Sequence, residues 1–176
     1  MALLTLKRYQ EHALQELDKY LRAARLTGPR LAFEAQTGFG YNTEPFGDMP
    51  CVCLRIPTGG GKTLMAAEAI GRMAREWSNG LPHPLVLWLV PSDTIRSQTL
   101  NALRTLGHPF RQALAQGVGD DVRVCELDEL ATLSPQDYAQ KAVVVVATIQ
   151  SFRVEDTDQR NVYSFSEKFE PHFKGM

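Results

Sequence analysis

Three glycines, a lysine and a threonine run together at Gly59-Gly60-Gly61-Lys62-Thr63, directly after Pro57-Thr58. Glycines lack a Cβ, so their backbone N–H groups can turn inward and approach a ligand closely. The adjacent lysine supplies a point charge for phosphate oxygens, and the threonine hydroxyl suits magnesium. These residue types in this order fit the phosphates of a nucleoside triphosphate, expected to be ATP with Mg2+. Lys62 is expected on the β- and γ-phosphates and Thr63 on the metal, with Pro57, Thr58, Gly59, Gly60 and Gly61 forming the cradle. The strict phosphate-loop pattern has glycine at its first position, where Ile56 stands here.

Such a loop needs a strand before it and a helix after it, because the helix N-terminus adds free N–H donors and a favourable dipole. Cys51 to Ile56 predicts the strand. Lys62 to about Trp77 predicts the helix, with Ala66, Ile70, Met73 and Trp77 as its buried face and Ser78-Asn79-Gly80 closing it. Leu85 to Val90 is an unbroken apolar run, the pattern of a parallel strand covered on both faces. Pro91-Ser92-Asp93 opens another helix that ends near Gly107-His108-Pro109. Val122 to Leu127 alternates like an edge strand, and Ala142 to Ala147 is a second buried run.

Upstream, Ala13, Leu14, Leu17, Leu21 and Ala24 recur at helical spacing between Tyr9 and Arg25, and Gly28-Pro29 stops that helix. Residues 30–49 carry Gly38, Gly40, Pro45 and Gly47 and read as an inserted surface loop, held down by Phe33, Phe39, Tyr41 and Phe46. The polar tail from Arg153 to Met176, punctuated by Tyr163, Phe165, Phe169 and Phe173, reads as a connection. Alternating strands and helices imply a parallel α/β sheet with right-handed crossovers.

Composition narrows the class. The chain has 176 residues, 44% hydrophobic and 22% charged, as expected of one globular domain. No apolar run approaches the roughly 18 residues of a membrane span. Lys7-Arg8 follows only a short apolar start, so no secretory signal is read and a cytoplasmic protein without membrane contact is expected. Three cysteines at 51, 53 and 125 make no disulfide framework and are expected as buried structural residues, and the four scattered histidines as surface or loop residues. The net charge of −1 excludes a generally basic nucleic-acid binder. The charge is uneven: residues 1–30 hold six Lys/Arg against three Asp/Glu, residues 115–176 six against eleven. Nucleic acid would therefore bind locally.

Pro57-Thr58-Gly59-Gly60-Gly61-Lys62-Thr63 resembles motif I of the superfamily 2 helicases and translocases, in which alanine usually takes the place of the first glycine. The resemblance is closest to the DEAD/DEAH-box group that includes the restriction (R) subunits of type III restriction enzymes, and it covers nearly the whole chain in the family's order. It implies an α/β P-loop NTPase (RecA-like) fold, a parallel sheet with helices on both faces. Leu6-Lys7-Arg8-Tyr9-Gln10 is similar to the family's adenine-recognition segment, with Lys7 in place of arginine. The resemblance implies that Gln10 reads adenine, with Tyr9 packing nearby, and makes residues 1–26 an adenine-motif helix. A carboxamide donates and accepts at once, which matches an adenine edge and rejects guanine. Leu89-Val90-Pro91-Ser92, followed by Gln98, resembles motif Ia. Ala147-Thr148-Ile149-Gln150-Ser151-Phe152 resembles the next segment that touches a nucleic-acid backbone. Pro91, Ser92, Gln98, Thr148 and Ser151 are thereby implied as contacts that position a strand without reading its sequence.

The family's Asp-Glu-x-His strand follows the Thr148–Phe152 segment and does not occur before Met176. Residues 1–176 are thus expected to be the N-terminal part of a first RecA-like domain. The resemblance implies a second such domain bearing an arginine finger, DNA as substrate, and, for a restriction enzyme, a modification or specificity subunit as partner. Val122 to Glu129 ends in an Asp-Glu pair, yet Arg123 and Glu126 suit a buried strand poorly and the order is wrong, so a structural role is expected there. Two other readings stay open. A P-loop GTPase would carry an Asn-Lys-x-Asp guanine reader, which is absent, and a kinase would need a basic lid, for which Arg153 and Arg160 lie in no recognisable place. A nucleotide- or partner-binding fragment without catalysis is the other.

Overall fold

The computed structural model describes residues 5–42, 44, 47, 49–77 and 83–152. The tail from Arg153 onward, Phe46 and the Ser78-Asn79-Gly80 stop lie outside these residues.

Apolar runs bounded by turn residues build the sheet. β1 (Leu85–Val90), β2 (Val122–Cys125) and β3 (Ala142–Thr148) are all parallel, in the order β1-β3-β2. β3 is central and buried along its whole length, which is why it reads Ala-Val-Val-Val-Val-Ala-Thr with no alternation. On one face Val144 and Val146 join Leu64, Ala67 and Ile70 of α3 (Lys62–Glu76), Leu100 and Leu103 of α4 (Asp93–Arg104), and Ala113 and Leu114 of α5 (Pro109–Val118). On the other, Val143, Val145 and Cys125 lie under Leu130 and Leu133 from a 3-10 turn (Asp128–Thr132) and its exit, and under Tyr138 of α6 (Pro135–Gln140). Helices thus cover both faces, an α/β layering consistent with part of a RecA-like P-loop fold. Over β1 the second face is bare among the described residues: Leu87 and Leu89 are exposed, so the expected burial on both sides holds for β3 and not for β1.

α1 (Arg8–Thr27) and α2 (Pro29–Thr37) form a second core with the far side of α3, through Leu14, Leu17, Tyr20, Leu21, Ala32 and Met65. α2 corrects the expectation of an irregular insertion across 30–49. Pro29 sits at the first helical position, where its missing N–H costs nothing. Of the loop aromatics, Phe33 packs between Tyr20 and Tyr41, with ring centroids 6.2 and 5.4 Å away, while Phe39 is exposed. α3 is squeezed between α1 and α5, so its buried set is Leu64, Met65, Ala67, Ile70, Gly71 and Ala74 rather than one stripe. Met73, expected inside, is exposed. At the α3–α5 crossing, a Cβ on Gly71 would run into the backbone of Gly117. Only two glycines allow the helices to meet that closely.

Candidate functional site

The glycine loop differs from expectation at its entrance. Cys51 to Ile56 is not a strand: it pairs with none of the three described strands, and Cys51 and Cys53 are exposed. A strand is defined by its ladder, and apolar residues alone do not supply one. The expectation of buried cysteines therefore holds only for Cys125, whose thiol burial pushes up to about 11. Leu54 and Ile56 still anchor the segment against the α1–α3 core.

The loop itself is a tight turn: the Gly60 N–H donates to the Pro57 carbonyl at 3.0 Å, with Gly59 at φ +74°. Gly61 caps α3 at φ +79°, a left-handed position that glycine takes without strain. Lys62 and Thr63 open the helix. The Lys62 ammonium bends back over the loop and donates to the carbonyls of Pro57 at 3.1 Å and Ile56 at 3.3 Å. Pro57, Thr58 and Gly59 are exposed and Gly60 is buried.

Gly60 is buried because α1 sits on it. The Gln10 Nε2 donates to the Gly60 carbonyl at 2.8 Å, and the Tyr9 hydroxyl donates to the same oxygen at 2.9 Å. The other end of the Gln10 carboxamide accepts the Lys7 N–H at 2.8 Å, one arm of a capping box at the start of α1. Gln10 is only 5% exposed. A Cβ on Gly61 would stand 2.6 Å from its Nε2, so this loop position must stay glycine for Gln10 to seat. The residues expected on adenine and those expected on phosphate, 50 positions apart in the chain, thus meet at one carbonyl.

The second group of candidates lies at the C-terminal edge of the sheet. β1 and β3 are paired through Val90 and Thr148, which places Pro91-Ser92 beside Ile149-Gln150-Ser151. Ser92 caps α4, its hydroxyl accepting the Ile95 N–H at 3.4 Å. Pro91, Ser92 and Gln98 are exposed, Gln98 further along α4. Thr148 is buried, 3% exposed, and its Oγ1 lies 2.9 Å from the Ser151 Oγ and accepts the Ser151 N–H at 3.3 Å. The strand's last side chain follows the pleat inward, so Thr148 orients Ser151, which remains half-buried at the edge.

Of the Asp-Glu pair after β2, Asp128 is exposed and Glu129 is tied into the fold. Glu129 accepts the Glu126 N–H at 2.7 Å and pairs with Arg104, and these contacts hold its carboxyl below the usual range. Glu126 pairs with Arg96, which also holds Asp93 at 3.0 Å. The neighbouring arginines are occupied too. Arg104 and Arg111 donate at 3.1 Å to the carbonyls of Val124 and Val122 along the sheet-edge strand, blunting an edge that could otherwise recruit another strand.

Thr58 and Thr63 are the two hydroxyl side chains of the loop, and Thr63 stands in the first turn of α3. Among the described residues no group of three or more His, Cys, Asp or Glu could hold a metal. A hydroxyl of this kind fits a Mg2+ ion that takes most of its ligands from phosphate oxygens and water. No helix among the described residues is long and apolar enough to cross a membrane.

No sequence signal paired Tyr9 with Gly60, or Arg72 of α3 with Asp18 of α1. Both contacts join residues more than 50 positions apart. Compared with known proteins, the chain matches a family model described as type III restriction enzyme, res subunit, over residues 3–174. No curated protein and no solved structure matches it.

Proposed function

The chain belongs to the type III restriction enzyme res subunit family, a family of DEAD-like helicase domains, and from that premise we propose that its α1–loop–α3 region is the ATP site of a nucleic-acid motor. The observation that carries this reading is the seating of Gln10. Its oxygen is committed to the Lys7 N–H and its nitrogen to the Gly60 carbonyl. An amide held by a donor at one end and an acceptor at the other cannot flip. Each end keeps spare capacity, a lone pair on the oxygen and a hydrogen on the nitrogen. A fixed acceptor beside a fixed donor complements the amino group and ring nitrogen of adenine and mismatches guanine.

The phosphates would follow from the base. Lys62 exchanges two neutral carbonyls for anionic oxygens, a stronger charge-assisted bond. The N–H groups at the start of α3 add donors aligned with the helix dipole. A bound Mg2+ on Thr63 would neutralise charge on the β- and γ-phosphates. Nucleic acid, DNA in a restriction enzyme, would run by its backbone across the edge formed by Pro91, Ser92, Gln98 and Ser151. By resemblance, the acidic pair and the arginine finger that complete hydrolysis belong to later motifs and to a second RecA-like domain, and a modification subunit would join the whole.

Calorimetry with ATP and Mg2+ tests the site. Lys62→Ala removes a charged partner worth about 1.5–3 kcal/mol and should weaken binding about 10- to 100-fold. Unchanged affinity would remove the loop from the site.

A further inference from the structure

α1 and α3 run in the same direction, and the contacts between them advance in step. Gln10 meets Gly60 and Gly61 at the start of α3, Asp18 meets Arg72 further along, and Arg22 meets Glu76 at the far end. Arg72 also lies 3.6 Å from Glu11, the residue directly after Gln10. Between these ties the helices touch through Leu14, Leu17, Leu21 and Met65. Apolar contact is non-directional and does not fix the height of one helix along the other. A slip of one turn, 5.4 Å, would carry Gln10 off the Gly60 carbonyl.

The Arg72–Asp18 pair is built like a register pin and not like a source of stability. Both side chains are largely buried, and among the described residues Asp18 Oδ1 and Arg72 Nε have no hydrogen-bond partner. Desolvating two charges is repaid only when their remaining donors and acceptors are satisfied, and apolar replacements of similar volume are often neutral or stabilising. A pair that contributes little net stability, sits between the two helices that carry the two halves of the site, and also reaches the neighbour of Gln10 is placed to set geometry.

We propose that Arg72 is a positioning residue for base selection: by pairing with Asp18 and Glu11 it sets the register of α1 on α3 and so holds the Gln10 carboxamide where it selects adenine. This rests on the reading of Gln10 as the adenine reader. The test replaces the pin by an apolar pair, Arg72→Met with Asp18→Leu, and compares ATP with GTP by calorimetry, inorganic tripolyphosphate serving as a base-free probe and thermal melting as the control for folding. The melting temperature should hold or rise, tripolyphosphate and GTP should bind as before, and ATP should bind about tenfold more weakly, the loss of roughly one oriented hydrogen bond. An unchanged ATP preference in this folded double variant overturns the proposal. If the double variant does not fold, Arg72→Lys decides. It keeps the charge but loses the planar fork, so a reduced preference supports the pin and a full preference overturns it. Gln10→Ala, run alongside, separates the two ideas. If it erases the preference while the apolar pair does not, only the role of Arg72 fails. If Gln10→Ala itself leaves the preference intact, the adenine reading fails and takes this proposal with it.

Discussion

The proposed nucleotide side and the sheet edge are built on different principles. At the nucleotide side, groups from positions 9, 10, 60, 61 and 62 converge by long-range packing, and one carbonyl, that of Gly60, receives two side-chain donors from α1. At the sheet edge the hydroxyls of Ser92, Thr148 and Ser151 are satisfied within three residues of themselves. The first region therefore depends on how helices sit on one another, while the second travels with its own strands. Damage to helix packing should be felt at the first and scarcely at the second.

The largest effect expected from this contrast is at the α3–α5 crossing. Gly71→Ala forces a methyl group into the Gly117 backbone. Overpacking of this kind should cost about 2–3 kcal/mol and lower the melting temperature by roughly 5–10 °C. It should also weaken ATP binding by displacing α3. An unshifted melting curve would mean that the helices part without cost.

A middle-sized effect isolates the sheet edge. Thr148→Val keeps shape but strips the Ser151 N–H and hydroxyl of their partner, a loss of about 1 kcal/mol. Measured by fluorescence anisotropy, single-stranded DNA should bind several-fold more weakly and ATP as before. Equal losses for both ligands would show that the two regions are not independent.

The smallest effect is a difference in pH response. Asp137 is held well below the usual carboxylate range by Lys141 and by the Ser134 N–H and hydroxyl, and Glu129 is lowered by the Glu126 N–H and by Arg104. Both contribute stability that is full above about pH 4, the unfolded value, and is lost as pH falls through their lowered folded values. Both sit on the β2–α6 side of the sheet. On α3, burial raises Glu68 instead, so its ionised form is the costly one and acid relieves that cost. With the intrinsic pH dependence of amide exchange divided out, protection should therefore fall between about pH 4 and 2 around 128–141 before it falls along α1 and α3. The reverse order would contradict these assignments.

Much of the frame was legible. The unbroken apolar runs at 85–90 and 142–147 are β1 and most of β3, and the glycine-lysine junction marks the start of α3. What was missed has physical causes. Gly107-His108-Pro109 read as the end of a helix, yet Pro109 also opens α5, whose first turn is capped by the His108 Nδ1 accepting the Phe110 N–H at 3.2 Å. The proline at a first helical position was the readable signal. Cys51–Ile56 has strand composition without a partner among the described residues. Met73 obeys the helical period but faces away from both neighbours, because α3 is buried on two sides and the period marks only one. Thr148 was implied as a backbone contact by resemblance alone, and no local pattern showed that the pleat turns it inward against Ser151. The union of Tyr9, Gln10 and Gly60 has no local signature, since nothing in a linear pattern states which helix will lie on which loop.

The central claim is that the carboxamide seated on the phosphate loop chooses the base. Calorimetry of ATP and GTP in magnesium, on the wild type and on Gln10→Ala, tests it most directly. The wild type should prefer ATP by about tenfold or more, the value of one oriented hydrogen bond against an unpaired polar group, and Gln10→Ala should bind the two nucleotides alike. Equal binding of ATP and GTP by the wild type, or a preference that survives Gln10→Ala, would contradict the account.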